Sequence, residues 1–134
     1  SLGFLAYENG EWGIVKDGKN YKLITEIGYM ELGNEVAVFF APGEFDPSIF
    51  YGGVTTPAES WDGKSWDYPA LKDITDCDNV LVFGLANDAI GYIVPDNDYC
   101  LALAFGHYQE LISLGDKTAS TLMAAFEELA AEVE

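Results

Sequence analysis

Val36-Ala37-Val38-Phe39-Phe40 is an unbroken apolar run, the pattern of a strand covered on both faces. The segments before it read as shorter strands separated by tight turns. Phe4 to Tyr7 is followed by Asn9-Gly10, and Trp12 to Lys16 by Asp17-Gly18. Both dipeptides supply the left-handed residues that two-residue hairpins require. Tyr21 to Ile27 is a third strand, and Gly28 to Gly33 reads as a bend around Tyr29, Met30 and Leu32. Pro42-Gly43-Glu44 ends the buried strand. Asp46 is placed to cap a short helix that starts at Pro47 and stops at Gly52-Gly53.

Residues 54–76 have no periodicity and read as a long loop. Its aromatics Trp61, Trp66 and Tyr68 predict a loop folded down on the body. Val80 to Phe83 is a second short buried strand, with Ile90 to Val94 after it. Leu101 to Leu114 is a less regular helical segment. Lys117 to Val133 is a regular one, with Asp116 as its cap and Leu122, Phe126, Leu129 and Val133 on one stripe. Strands first, then mixed strands and helices, predict an α+β (mixed α/β) fold in a single domain over 1–134.

Composition narrows the partners. Apolar residues are 49% and charged residues 22%, so the chain folds. Lys plus Arg count 6 against 23 Asp plus Glu, a net charge of −17. Such a surface repels a phosphate backbone and an anionic bilayer alike, so neither nucleic acid nor a membrane surface is an expected partner. The longest apolar run, Val36 to Ala41, is far short of the roughly 20 residues of a membrane helix. The opening Ser1-Leu2-Gly3-Phe4 lacks the features of a signal peptide, and the first methionine is Met30. The expectation is a segment of a longer polypeptide or a processed product. Cys77 and Cys100 are the only cysteines. A single disulfide and two separate thiols are both open, and no Cys-x-x-Cys exists to hold a zinc ribbon.

Candidate chemistry is sparse. The single histidine, His107, lies among Phe105, Gly106 and Tyr108 and reads as a packed or surface residue. Asp73, Asp76 and Asp78, and also Asp96 and Asp98, read as solvated loop faces, because neither group has the EF-hand spacing. Two places are better presented. Pro42-Gly43-Glu44 puts a carboxylate at the end of a buried strand. Gly84-Leu85-Ala86-Asn87-Asp88, followed by Gly91-Tyr92-Ile93, leaves a second one.

These two places, with Thr25-Glu26-Ile27-Gly28, Leu32-Gly33, Ala41 to Phe45, and Tyr108, Glu110 and Ser113-Leu114-Gly115, give a sequence that resembles the C-terminal part of the catalytic domain of neutral/alkaline non-lysosomal ceramidases and their bacterial relatives. The likeness spans most of residues 22–130. It implies a catalytic Zn²⁺ with Glu44 and Tyr92 as two of its ligands. It further implies two histidine ligands from an N-terminal segment absent here, a small amide or lipid-like substrate, and an extracellular or cell-surface setting. Asn87 and Asp88 are then expected at the pocket rim. The chain departs from the family after Glu44-Phe45, where Asp46-Pro47-Ser48-Ile49-Phe50 replaces a Thr-Thr-Met and a basic stretch.

Two other readings come from the residues alone. The 54–76 loop, with Trp61, Trp66 and Tyr68, can stack on a flat ligand, which makes the chain a binding module. An acidic interaction domain is the third, and it predicts a contiguous exposed apolar patch.

Overall fold

The computed structural model describes residues 13–17, 19–52, 56–101 and 106–133. The predicted strand Phe4–Tyr7, its Asn9-Gly10 turn and part of the Leu101–Leu114 segment lie outside these residues.

β1 (Gly13–Asp17) and β2 (Asn20–Ile24) form an antiparallel hairpin in which Asp17 faces Asn20 across the turn. The next segment corrects the sequence reading. Gly28 to Gly33 is not a bend: β3 (Gly28–Leu32) pairs antiparallel with β4 (Val36–Phe40), and Gly33, at φ +60°, makes the turn between them. Its strand character comes from its partner, which local propensity does not register. β4 is the centre of a three-stranded sheet in the order β3-β4-β6, with β6 (Asn79–Phe83) parallel to it.

One face of this sheet carries the core. Ala37 and Phe39 point into it, and the C-terminal helix α2 (Thr118–Ala131) covers them with Ala119, Leu122, Met123 and Phe126. Phe126 meets Phe39 edge to face with ring centroids 5.2 Å apart, and it also touches Phe45. The helix's buried stripe is therefore 119/122/123/126/130, and Val133 is exposed.

The opposite face bears out the expectation that β4 is buried on both sides only at the strand itself, where Val38 is 3% exposed. Pairing brings Met30 and Leu32, then Val36, Val38 and Phe40, then Leu81 and Phe83 onto it. Its flanks are open: Leu32 is 59%, Phe83 54% and Leu81 49% exposed.

The cap of α2 is a second correction. Asp116 does not cap it. Asp96, on a 3-10 turn (Asp96–Asp98), reaches across instead. Its carboxylate accepts from the Ser120 amide at 3.1 Å, the Ser120 hydroxyl at 2.6 Å and the Lys117 ammonium at 3.1 Å. The short helix α1 (Pro47–Tyr51) forms as its sequence predicts. Asp46 accepts from the Ser48 amide at 2.9 Å, and Gly52 closes the helix at φ +71°.

Candidate metal and ligand sites

Beyond β4 and β6 the two chains continue side by side. β5 (Glu44–Phe45) pairs parallel with β7 (Tyr92–Ile93), and Glu44 stands directly opposite Tyr92. Backbone bonds stitch the bend. Ala41 donates to the Phe83 carbonyl at 2.9 Å, Ile90 to Pro42 at 2.9 Å, Glu44 to Gly91 at 3.0 Å and Asp46 to Ile93 at 2.9 Å. The approach is close enough to demand glycine at two positions. A Cβ on Gly43 would lie 2.4 Å from the Gly91 carbonyl oxygen, and one on Gly91, at φ +95°, would lie 1.7 Å from the Ile112 oxygen.

Opposite residues of a parallel pair project to the same side, so Glu44 and Tyr92 share a face. Both line a cavity of about 220 Å³ whose walls also include Phe45, Asp46, Val94 and Gln109. The Tyr92 ring meets Tyr108 edge to face at 5.8 Å. The Tyr108 hydroxyl, and then the negative charge of Glu44, raise the Tyr92 phenol above its ordinary value, so it stays protonated and available as a donor. Asn87 and Asp88 sit on the turn that enters β7 and are not brought into the cavity wall. Asn87 adopts φ +68°, and Asp88 accepts a 2.6 Å bond from the Thr25 hydroxyl.

A second group converges next to this cavity. Cys100, His107 and Glu110 bring one ligand atom each to within 4.8 Å of one another, an arrangement that can hold a metal ion. Cys100 is buried, and the Glu110 side chain is only 1% exposed. Glu110 Oε1 accepts from the Cys100 amide at 2.9 Å and lies 2.9 Å from His107 Nδ1. His107 and Glu110 are positioned by a 3-10 turn (Tyr108–Ile112), where the sequence alone reads a longer helix. The His-x-x-Glu spacing was visible in the sequence. The proximity of Cys100 to that pair was not. Cys77 and Cys100 are not joined to each other.

The Asp96–Asp98 turn is not a solvated loop face. Besides the α2 cap, it holds the aromatic loop: Asp98 accepts from the Trp61 amide at 2.9 Å, and the Asn97 side chain donates to the Lys64 carbonyl at 3.0 Å. Burial, the largest effect, raises the Asp98 carboxyl above its ordinary value. Trp66 and Tyr68 pack against the core, whereas Trp61 is exposed beside His107, ring centroids 6.3 Å apart. The Trp66 indole N–H is buried without a hydrogen-bond partner among the described residues, at the wall of a second cavity of about 180 Å³.

Comparison with protein-family models, curated proteins and solved structures finds no match for this chain. No helix among the described residues is long and apolar enough to cross a membrane.

Proposed function

We propose that this chain is the C-terminal segment of a zinc-dependent amide hydrolase of the ceramidase type, contributing Glu44 and Tyr92 to the metal shell. The observation that carries the reading is the register of β5 against β7. It sets a carboxylate and a phenol opposite each other on one cavity wall. The donor chemistry fits, because zinc takes carboxylate oxygen readily. When bound, zinc supplies Lewis acidity and lowers the pKa of a bound water toward about 7.

The chain's own residues do the rest. The Glu44 carboxylate supplies negative charge at the mouth of the cavity. Tyr92, held protonated, offers its O–H to an oxygen that gains charge as water adds to an amide carbonyl and the C–N bond breaks. Tyr108 orients Tyr92 through the ring contact, and Gln109 adds a polar group to the wall.

The sole histidine stands with Cys100 and Glu110, so both imidazole ligands would come from a segment outside these 134 residues. The exposed flanks of the sheet face support such a partner. They are apolar, and they lie on the sheet whose β4 and β6 lead, through the bend and the 84–91 turn, to the strands that carry Glu44 and Tyr92. The substrate class is a small or lipid-like amide.

The test is hydrolysis of a fluorogenic N-acyl amide by the whole gene product, with zinc content measured alongside. Chelator is expected to abolish turnover. Glu44→Gln is expected to cut kcat/KM by about a hundredfold or more and to lower bound zinc. Full activity and full zinc in Glu44→Gln would end the proposal.

A further inference from the structure

Cys100, His107 and Glu110 differ in chemistry from the Glu44–Tyr92 pair: one sulfur, one imidazole and one carboxylate meet in a largely buried pocket. We infer that this group is a second metal site that takes Zn²⁺ or a similar late divalent transition ion, and that the ion clamps the Tyr108–Ile112 turn to the segment leaving β7.

The donor set selects the ion. A thiolate and an imidazole favour zinc-like metals, whereas Ca²⁺ and Mg²⁺ require shells of six or more oxygens. The spacing of the imidazole and the carboxylate is close to what a tetrahedral ion needs, and the thiol lies within 4.8 Å of both. Bonds of about 2.0–2.2 Å to nitrogen and oxygen put those two atoms about 3.3 Å apart. His107 Nδ1 and Glu110 Oε1 are 2.9 Å apart, so the pair opens by only a few tenths of an ångström.

The surroundings favour a cation. Asp98 feels the charges of Asp46, Glu110 and His107 together, so two further carboxylates stand within electrostatic reach of the group. On binding, the Cys100 thiol gives its proton to solvent and a metal–sulfur bond forms in its place. The His107 side chain, 24% exposed, leaves a route for the ion and room for a water as fourth ligand.

The clamp has a consequence for the cavity next to it. Tyr108 and Gln109 lie between the two ligands of the turn and form part of the Tyr92 environment. The Ile112 carbonyl, at the end of the same turn, is the group that abuts Gly91. An ion here therefore fixes the wall against which Tyr92 is held. The inference does not depend on zinc at Glu44 and Tyr92.

Cobalt separates the two sites, because only a thiolate gives an intense near-ultraviolet charge-transfer band with Co²⁺. The 134-residue chain, stripped of metal and with thiols reduced, is titrated with Co²⁺. The expected result is such a band saturating at one equivalent and displaced by Zn²⁺. Cys77→Ser and Glu44→Gln are expected to keep the band, and Cys100→Ser to abolish it. His107→Gln is expected to weaken Co²⁺ binding by more than about a hundredfold, since losing even an outer-shell partner costs about 10–100-fold. Circular dichroism confirms that each variant is folded. If Cys100→Ser fails to fold, the partly exposed His107→Gln variant decides. A folded, reduced chain without the band at saturating Co²⁺ overturns the inference. So does a band that survives Cys100→Ser, or unchanged affinity in His107→Gln.

Discussion

Asp96 does for α2 what a residue next to the helix does in most proteins, and the cost of removing it can be worked from its contacts. Its carboxylate accepts from the Ser120 amide in the first turn of α2, 24 positions along the chain. Losing a side-chain cap of this kind costs about 1 kcal/mol. The negative charge at a helix N-terminus contributes a further ~0.3–1 kcal/mol. The Lys117 pair adds little, because that ammonium is 74% exposed and solvent screens it. The Ser120 hydroxyl retains the Lys117 carbonyl as an acceptor at 3.3 Å. Asp96→Ala is therefore expected to lose about 1.3–2 kcal/mol, or roughly 5–7 °C in Tm for a chain of this size. Asp96→Asn keeps an acceptor oxygen without the charge and is expected to lose about half as much. Urea unfolding followed by circular dichroism measures both. An Asp96→Ala midpoint equal to that of the parent, at unchanged m, would refute the remote cap.

Tyr29 gives the pH prediction. Burial, and then its bond to Glu31, push its phenol up to about 12, above the ordinary 10. The folded state thus holds the proton more tightly than the unfolded chain, so this contribution is complete below about pH 10 and disappears as pH rises toward 12. A phenolate absorbance titration is expected to show a late-ionising tyrosine, and Tyr29→Phe is expected to remove it. If the titration is superimposable in Tyr29→Phe, the assignment is wrong. The open sheet face predicts self-association of the isolated chain. Light scattering at rising concentration is expected to show growing mass, which Leu81→Lys with Phe83→Lys suppresses while the helical signal is retained. A parent chain that stays monomeric throughout would show that the face is satisfied from within.

Local chemistry was readable in the sequence wherever the neighbours in sequence are also the neighbours in space. Asp46-Pro47 and Gly52 define α1 because a cap, a fixed φ and a left-handed stop all act within a few residues. The core strand β4 and the helix α2 are strong enough as patterns to survive any topology. β3 was not readable. Met30 and Leu32 face away from the core, and only pairing with β4 makes a strand of them. The α2 cap is not legible because Asp116 is near in sequence while Asp96 is near in space. Glu44 and Tyr92 each stand out at a strand end, but their juxtaposition needs a parallel pairing that no local pattern encodes. The metal-competent group depends on Cys100 lying beside a His-x-x-Glu turn, a proximity that no spacing in the sequence encodes.

The contact between Gly43 and Gly91 makes the bend a gauge built of main chain alone. Neighbouring strands sit about 4.8 Å apart whatever side chains they bear. The interval between positions 44 and 92 is thus indifferent to what is mounted there. Replacing both residues with imidazoles, or one with a thiol, would exchange the chemistry of that wall without resetting its dimensions. The crossing therefore offers itself as an interchangeable mount for designed metal centres.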